Sequence, residues 1–124
     1  MGNMQIDWTE DYIWVNAPGT TEIEGKDYIL DVGNFRRVQG IIQAVSVNIN
    51  SGSDAAIHID SSPDMAFSTR EVNYSKTNIN APFNQQFSIA DDDATPMYRF
   101  LRWRFVSGSN DLDVQFRIRL LLKR

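Results

Sequence analysis

The sequence predicts an all-β chain, an antiparallel β-sandwich of jelly-roll type with an extended N-terminal arm, and three observations carry that prediction. First, the last quarter alternates: Leu112, Val114, Phe116, Ile118, Leu120 and Leu122 fall at every second position, with Asp113, Gln115, Arg117, Arg119 and Lys123 between them. A period of two places one set on each face of a strand. Second, short β-branched and aromatic segments recur at about 8–12-residue spacing between turn-forming clusters, as in sandwiches and barrels. Third, no segment carries apolar residues at helical spacing over more than about one turn.

Along the chain, Gln5 to Val15 is rich in aromatic and β-branched residues and reads as extended. Trp8, Tyr12 and Trp14 share its even-numbered face. Asn16 to Thr20 holds Pro18 and Gly19 and reads as a turn. Thr20 to Lys26 is polar, which makes residues 1–25 an arm or edge segment and 26–124 the sandwich domain. Tyr28 to Val32 is a short strand closed by Gly33 and Asn34. Residues 36–49 form one long strand or two, with Ile41, Gln43, Val45, Val47 and Ile49 in one register. Gly40 marks a bulge or a close backbone approach.

Residues 50–54 are a polar turn, and Ala55 to Asp60 alternates with Ile57 and Ile59 inward, His58 and Asp60 outward. Ser61 to Asp64 turns the chain, Arg70 to Tyr74 reads as a short edge strand, and 75–84 as an irregular loop. Gln86 to Ala90 is a further strand, and Asp91 to Pro96 leads on from it. Residues 98–106 and 111–123 then read as a closing hairpin about a Ser107–Asn110 turn.

At 124 residues, with 42% hydrophobic and 23% charged residues, the chain suits one folded domain that needs no disulfide or metal staple. The absence of cysteine excludes thiolate catalysis, cysteine zinc sites and iron–sulfur clusters. A net charge of −4 disfavours a nucleic-acid partner. The opening Met-Gly-Asn-Met-Gln-Ile-Asp lacks the pattern of a signal peptide, and no apolar run approaches the ~20 residues of a membrane helix. A soluble protein made in the cytosol, without membrane contact, is expected.

Four groups of residues are candidates for chemistry. His58 with Asp60 has the make-up of a base and its orienting carboxylate, but alternation makes His58 a solvent-facing strand residue. Asp91, Asp92 and Asp93 could offer oxygens to calcium, yet no Asp-x-Asp-x-Asp-Gly loop or bidentate Glu accompanies them, so a solvated turn is the simpler reading. Trp8, Tyr12 and Trp14 suit a core or subunit interface before a sugar-stacking platform. Arg102 and Arg104, with Arg117 and Arg119, would form a cationic ladder on the closing hairpin. Like charges directly opposite are unfavourable unless acids interleave, so the ladder reads equally as a solvated face or as an interface that meets acids, Asp113 nearby or Asp and Glu of another protomer. There is no phosphate loop, nucleophile elbow or dinucleotide fingerprint. No enzyme activity and no cofactor are expected.

The run Ile57-His58-Ile59-Asp60-Ser61-Ser62-Pro63-Asp64-Met65-Ala66-Phe67, followed by Tyr98-Arg99-Phe100-Leu101-Arg102-Trp103-Arg104-Phe105 and a closing apolar strand, resembles small β-sandwich virion proteins of tailed phages. These are the head-decoration, spike-base and tail-associated structural proteins, and the likeness covers about residues 41–122. The same cadence occurs in jelly-roll carbohydrate-binding modules. The loop-like stretch at 75–84 and the long aromatic N-terminal segment depart from the usual phage form. The resemblance implies a non-enzymatic virion structural or assembly protein, made in the host cytoplasm. It would bind capsid or tail proteins and pair with itself as a homo-oligomer, for example a trimer. Its interface would use Trp8, Tyr12 and Trp14, with Arg102, Arg104, Arg117 and Arg119 second. The alternative is a jelly-roll carbohydrate-binding module assisted by calcium.

Overall fold

The computed structural model describes residues 3–9, 12–17, 21–25, 29–49, 55–107 and 112–124. The regular elements among them are strands: β1 (Met4–Asp7), β2 (Ile13–Ala17), β3 (Thr21–Glu24), β4 (Leu30–Asp31), β5 (Arg37–Ile49), β6 (Ala55–Ser62), β7 (Glu71–Ile79), β8 (Phe83–Ala90), β9 (Phe100–Ser107) and β10 (Leu112–Lys123). Of the turns expected at 16–20, 50–54 and 107–110, residues 18–20, 50–54 and 108–110 lie outside the described residues, while Asn16 and Ala17 end β2 and Ser107 ends β9.

The strands form two antiparallel sheets. In sheet A, β1 and β2 share one edge of β10, followed by β5 and β8; in sheet B, β3 and β4 share one edge of β9, followed by β6 and β7. Taking each shared edge as one strand, the first pairs with the last, the second with the seventh, the third with the sixth and the fourth with the fifth. That nesting is the jelly roll, a sandwich built from two Greek keys.

Alternation decides what fills the space between the sheets. The even residues of β10 and the odd residues of β9 point inward, so Phe116 meets Trp103 edge-on at 5.4 Å and stacks against Phe105 at 6.2 Å. Ile57, Ile59, Ile42 and Ile118 close round these rings with 0% exposure. The Trp103 indole lies so close to Gly25 that an added Cβ would fall 2.5 Å from its ring. Gly40 is a close approach of the same kind: a Cβ there would sit 2.4 Å from Cζ of Phe87. The gap lets Phe87 lie over β5 and stack on Tyr74 of the opposite sheet at 5.0 Å. The bulge in β5 is elsewhere, at Val45, where the pairing steps from Phe116–Ala44 to Gln115–Ser46. The extra residue leaves the ladder, which is why Val45 is half exposed.

Three expectations are corrected. Strands β9 and β10 are not a hairpin: each faces the core from a different sheet, and the chain crosses the roughly 10 Å between them. The four arginines therefore form no single ladder, because Arg102 and Arg104 lie outside sheet B while Arg117 and Arg119 lie outside sheet A. Of residues 75–84, expected as loop, 75–79 belong to β7 and are held by pairing with β6, and Phe83 and Asn84 begin β8. The described residues before 26, expected as an arm or edge segment, lie along the sheet edges. Strands β1 and β2 cover the outer edge of β10, the Trp8 and Thr9 amides donate to the Ile118 carbonyl, and the Ile118 amide donates to Thr9 Oγ1. Without them that edge of β10 would expose a row of unpaired main-chain groups.

Candidate functional site

The outer face of sheet A carries most of the exposed chemistry. Its rows follow from register: Gln5, Leu121, Gln39 and Ser88 in one, Asp7, Arg119, Ile41 and Gln86 in the next, then Arg117, Gln43 and Asn84. Beyond these, Trp14 lies opposite Gln115, which lies opposite Ser46. An open trough of about 750 Å³ runs over the first two rows.

Partners hold this face in order. Arg117 donates through Nε to Gln43 Oε1 at 2.7 Å and lays its guanidinium over the Tyr12 ring at 4.9 Å. Such a contact is favourable because the ring face is negative. Arg119 pairs with Asp7 at 3.1 Å. The Trp14 indole N–H donates to the Asp113 carboxylate, so a ring that is 62% exposed is nevertheless fixed. Tyr12, Trp14, Arg117 and Arg119, predicted as interface residues, are thus brought together. Trp8 is not with them: it is 5% exposed and packs in the core. The amides Gln5, Gln39, Gln43 and Gln86 were missed, although the odd register of β10 marks the strand face they neighbour.

The outer side of sheet B holds a different cluster. Asp60 has 0% exposure, and Arg104 donates to it through Nε at 2.9 Å and Nη2 at 3.4 Å. Arg102 and Arg70 stand 4.0 and 3.9 Å from the same carboxylate. The chain after β6 folds back over it: Phe67 takes a left-handed φ of 53° and its ring lies 4.2 Å from the Arg102 guanidinium. A non-glycine residue there costs about 1–3 kcal/mol, which the packing must offset. Asp60 points away from the core as alternation requires, yet the arginines and this loop exclude solvent from it.

The remaining candidates assemble no chemistry. His58 Nδ1 is 2.7 Å from Ser75 Oγ, and Asp60 is committed to arginine. Asp91, Asp92 and Asp93 are exposed, and Asp93 accepts from the Ala90 amide at 2.9 Å, capping a turn. Among the described residues no group of three or more His, Cys, Asp or Glu could hold a metal ion.

Two surface carboxylates, exposed Asp31 and half-buried Asp64, report on pH. The Arg99 guanidinium beside Asp31, with help from the Gly33 amide, holds its carboxyl below the usual value of 3.8. The Ser68 amide does the same for Asp64. A carboxyl with a depressed folded pKa adds stability above its unfolded value and loses it as pH falls through the folded one. The melting temperature is therefore expected to fall as pH drops below about 3.8. Asp31→Asn with Asp64→Asn should flatten that fall in a circular-dichroism melting series; an unchanged slope would place the acid sensitivity elsewhere.

No family model matches the sequence, and no curated protein matches it. Among solved structures, the fold is similar to a mutant of Xylanase10C from Cellvibrio japonicus in complex with xylopentaose, with a TM-score of 0.50 and 12% identity. The match covers 96% of this chain but 28% of that one, so this chain spans less than a third of its length. The likeness is one of fold.

Proposed function

We propose that the protein is a non-enzymatic docking protein that works through the outer face of sheet A. The observation that carries this reading is the juxtaposition of Trp14, Tyr12, Arg117 and Arg119 on one open face, each already held by a neighbour. Tryptophan, tyrosine and arginine dominate binding energy at protein interfaces. Side chains fixed before contact lose less freedom on binding. In the setting that the sequence resemblance implies, the partner is a capsid or tail surface, and the protein resides on the virion.

Purified protein is expected to co-sediment with capsid or tail particles. Trp14→Ala should weaken that binding about 30-fold, as loss of a 2 kcal/mol hot spot does. It should leave the fold within about 0.5 kcal/mol, since the ring is on the surface. No co-sedimentation of the unaltered protein would overturn the proposal.

A second reading, a carbohydrate-binding module, is favoured by the glutamines Gln5, Gln39, Gln43, Gln86 and Gln115 on the same face. Each neutral amide offers both donor and acceptor, as sugar hydroxyls require, and the exposed Trp14 ring could pack on a sugar. Binding on an oligosaccharide array that Trp14→Ala abolishes would select this reading; silence across the array would remove it.

A further inference from the structure

The sandwich has four sheet edges, and three carry devices that discourage strand addition. The β1/β2 and β3/β4 edges are broken into strands of four, five, four and two residues. Strand β7 is longer, but its pairing with β6 is interrupted by two register shifts, it bears Glu71 and Lys76, and it nears its end in the left-handed Asn78. Short strands, bulges and edge charges are how natural sheets avoid unwanted pairing.

Strand β8 has none of these. Its eight residues, Phe83-Asn84-Gln85-Gln86-Phe87-Ser88-Ile89-Ala90, include no charge, proline or glycine, and they pair with β5 in unbroken register from Ala44–Phe83 to Arg37–Ala90. The side away from β5 is open: among the described residues no strand pairs with it. The direction of its main chain follows from the hydrogen bonds at its end. The Ala90 amide donates to Asp93 and its carbonyl accepts from Met97, whereas the Asp91 amide donates back to Arg36 beside β5. The Gln86 carbonyl likewise accepts from the Gln85 side chain. Even-numbered residues of β8 thus point their main-chain groups outward, at Asn84, Gln86 and Ser88.

We infer that this edge pairs with β8 of a second copy of the chain, antiparallel about a two-fold axis at Gln86. The match is self-complementary. Gln86 meets Gln86 of the other copy, and Asn84 meets Ser88, each as a hydrogen-bonded pair. On the inner side Phe87 meets Gln85 and Phe83 meets Ile89, and no like charges are opposed. Sheet A then continues across both copies, with two docking faces on one surface, an arrangement that multiplies weak contacts. The inference rests on the β8 edge alone and stands or falls separately from the Trp14 face.

Light scattering coupled to size-exclusion chromatography over a concentration series tests it. The protein is expected at twice the 14.2 kDa of one chain. Gln86→Lys, on the solvent face, should weaken the dimer about tenfold by placing two ammonium groups opposite each other. Mixing it with Gln86→Glu should restore the dimer as a mixed pair. Gln86→Pro removes an outward amide and should also yield monomer, with circular dichroism confirming the fold of each variant. A monomeric or trimeric parent, or a dimer that survives both Gln86→Lys and Gln86→Pro, would overturn the pairing.

Discussion

Asp60→Ala is expected to cost about 3 kcal/mol of folding stability, the lower end of the range for removing one partner of a buried ion pair. The carboxylate is fully buried and takes a two-point contact from Arg104, whose side chain is 9% exposed; that of Arg102 is 7% exposed. Deleting it removes the carboxylate to which Arg104 donates at two points and which Arg102 faces at 4.0 Å, in a place closed to water. Arg70, 39% exposed, can turn to solvent and holds the loss at the lower end. The Asp31–Arg99 pair is the internal control: it has a bidentate contact too, but its side chains are 50% and 62% exposed. Exposed pairs contribute little, so Asp31→Ala should shift the urea midpoint far less. Urea unfolding of both variants, with slopes unchanged, decides it. Equal shifts would mean that solvent reaches Asp60.

The contrast shows what period-two alternation can and cannot say. It assigns a residue to the inward or outward side of its own strand, and it does so correctly for Trp103, Phe105, Phe116 and Ile118. It is silent on which sheet the strand joins, because that depends on pairing between residues far apart in sequence. Arg104 and Arg117 therefore look like neighbours across a turn, although they lie on opposite outer surfaces of the sandwich. It is equally silent on what lies over an outward residue, so Asp60 reads as solvated until Phe67 and the arginines are seen above it. A break in register defeats it too. Trp8 shares even numbering with Tyr12 and Trp14, but the chain is re-anchored at Ile118 between β1 and β2, and Trp8 turns inward. Residues 75–79 were illegible for another reason: Ser-Lys-Thr-Asn has little intrinsic preference for a strand, and the pairing partner β6 supplies it.

The second large effect is expected at Phe116. Phe116→Ala should cost about 3–5 kcal/mol, the transfer energy of the ring plus the cavity it leaves. The ring is fully buried, edge-on to Trp103 and stacked on Phe105. Trp103 in turn rests against Gly25 and cannot slide to fill the space. Phe116→Leu keeps much of the volume and should cost clearly less. The position also matters beyond stability. Phe116 sits beside the β5 bulge and pairs with Ile13, immediately before Trp14 on β2. A cavity here therefore loosens the strand that presents the exposed indole. Denaturant midpoints for the Ala and Leu variants test the packing. Hydrogen exchange at the β2 amides tests the second step, since Phe116→Ala should speed exchange at Trp14 more than at β7. Uniform acceleration across both sheets would mean that the core opens as one unit, and that β2 has no separate dependence on Phe116.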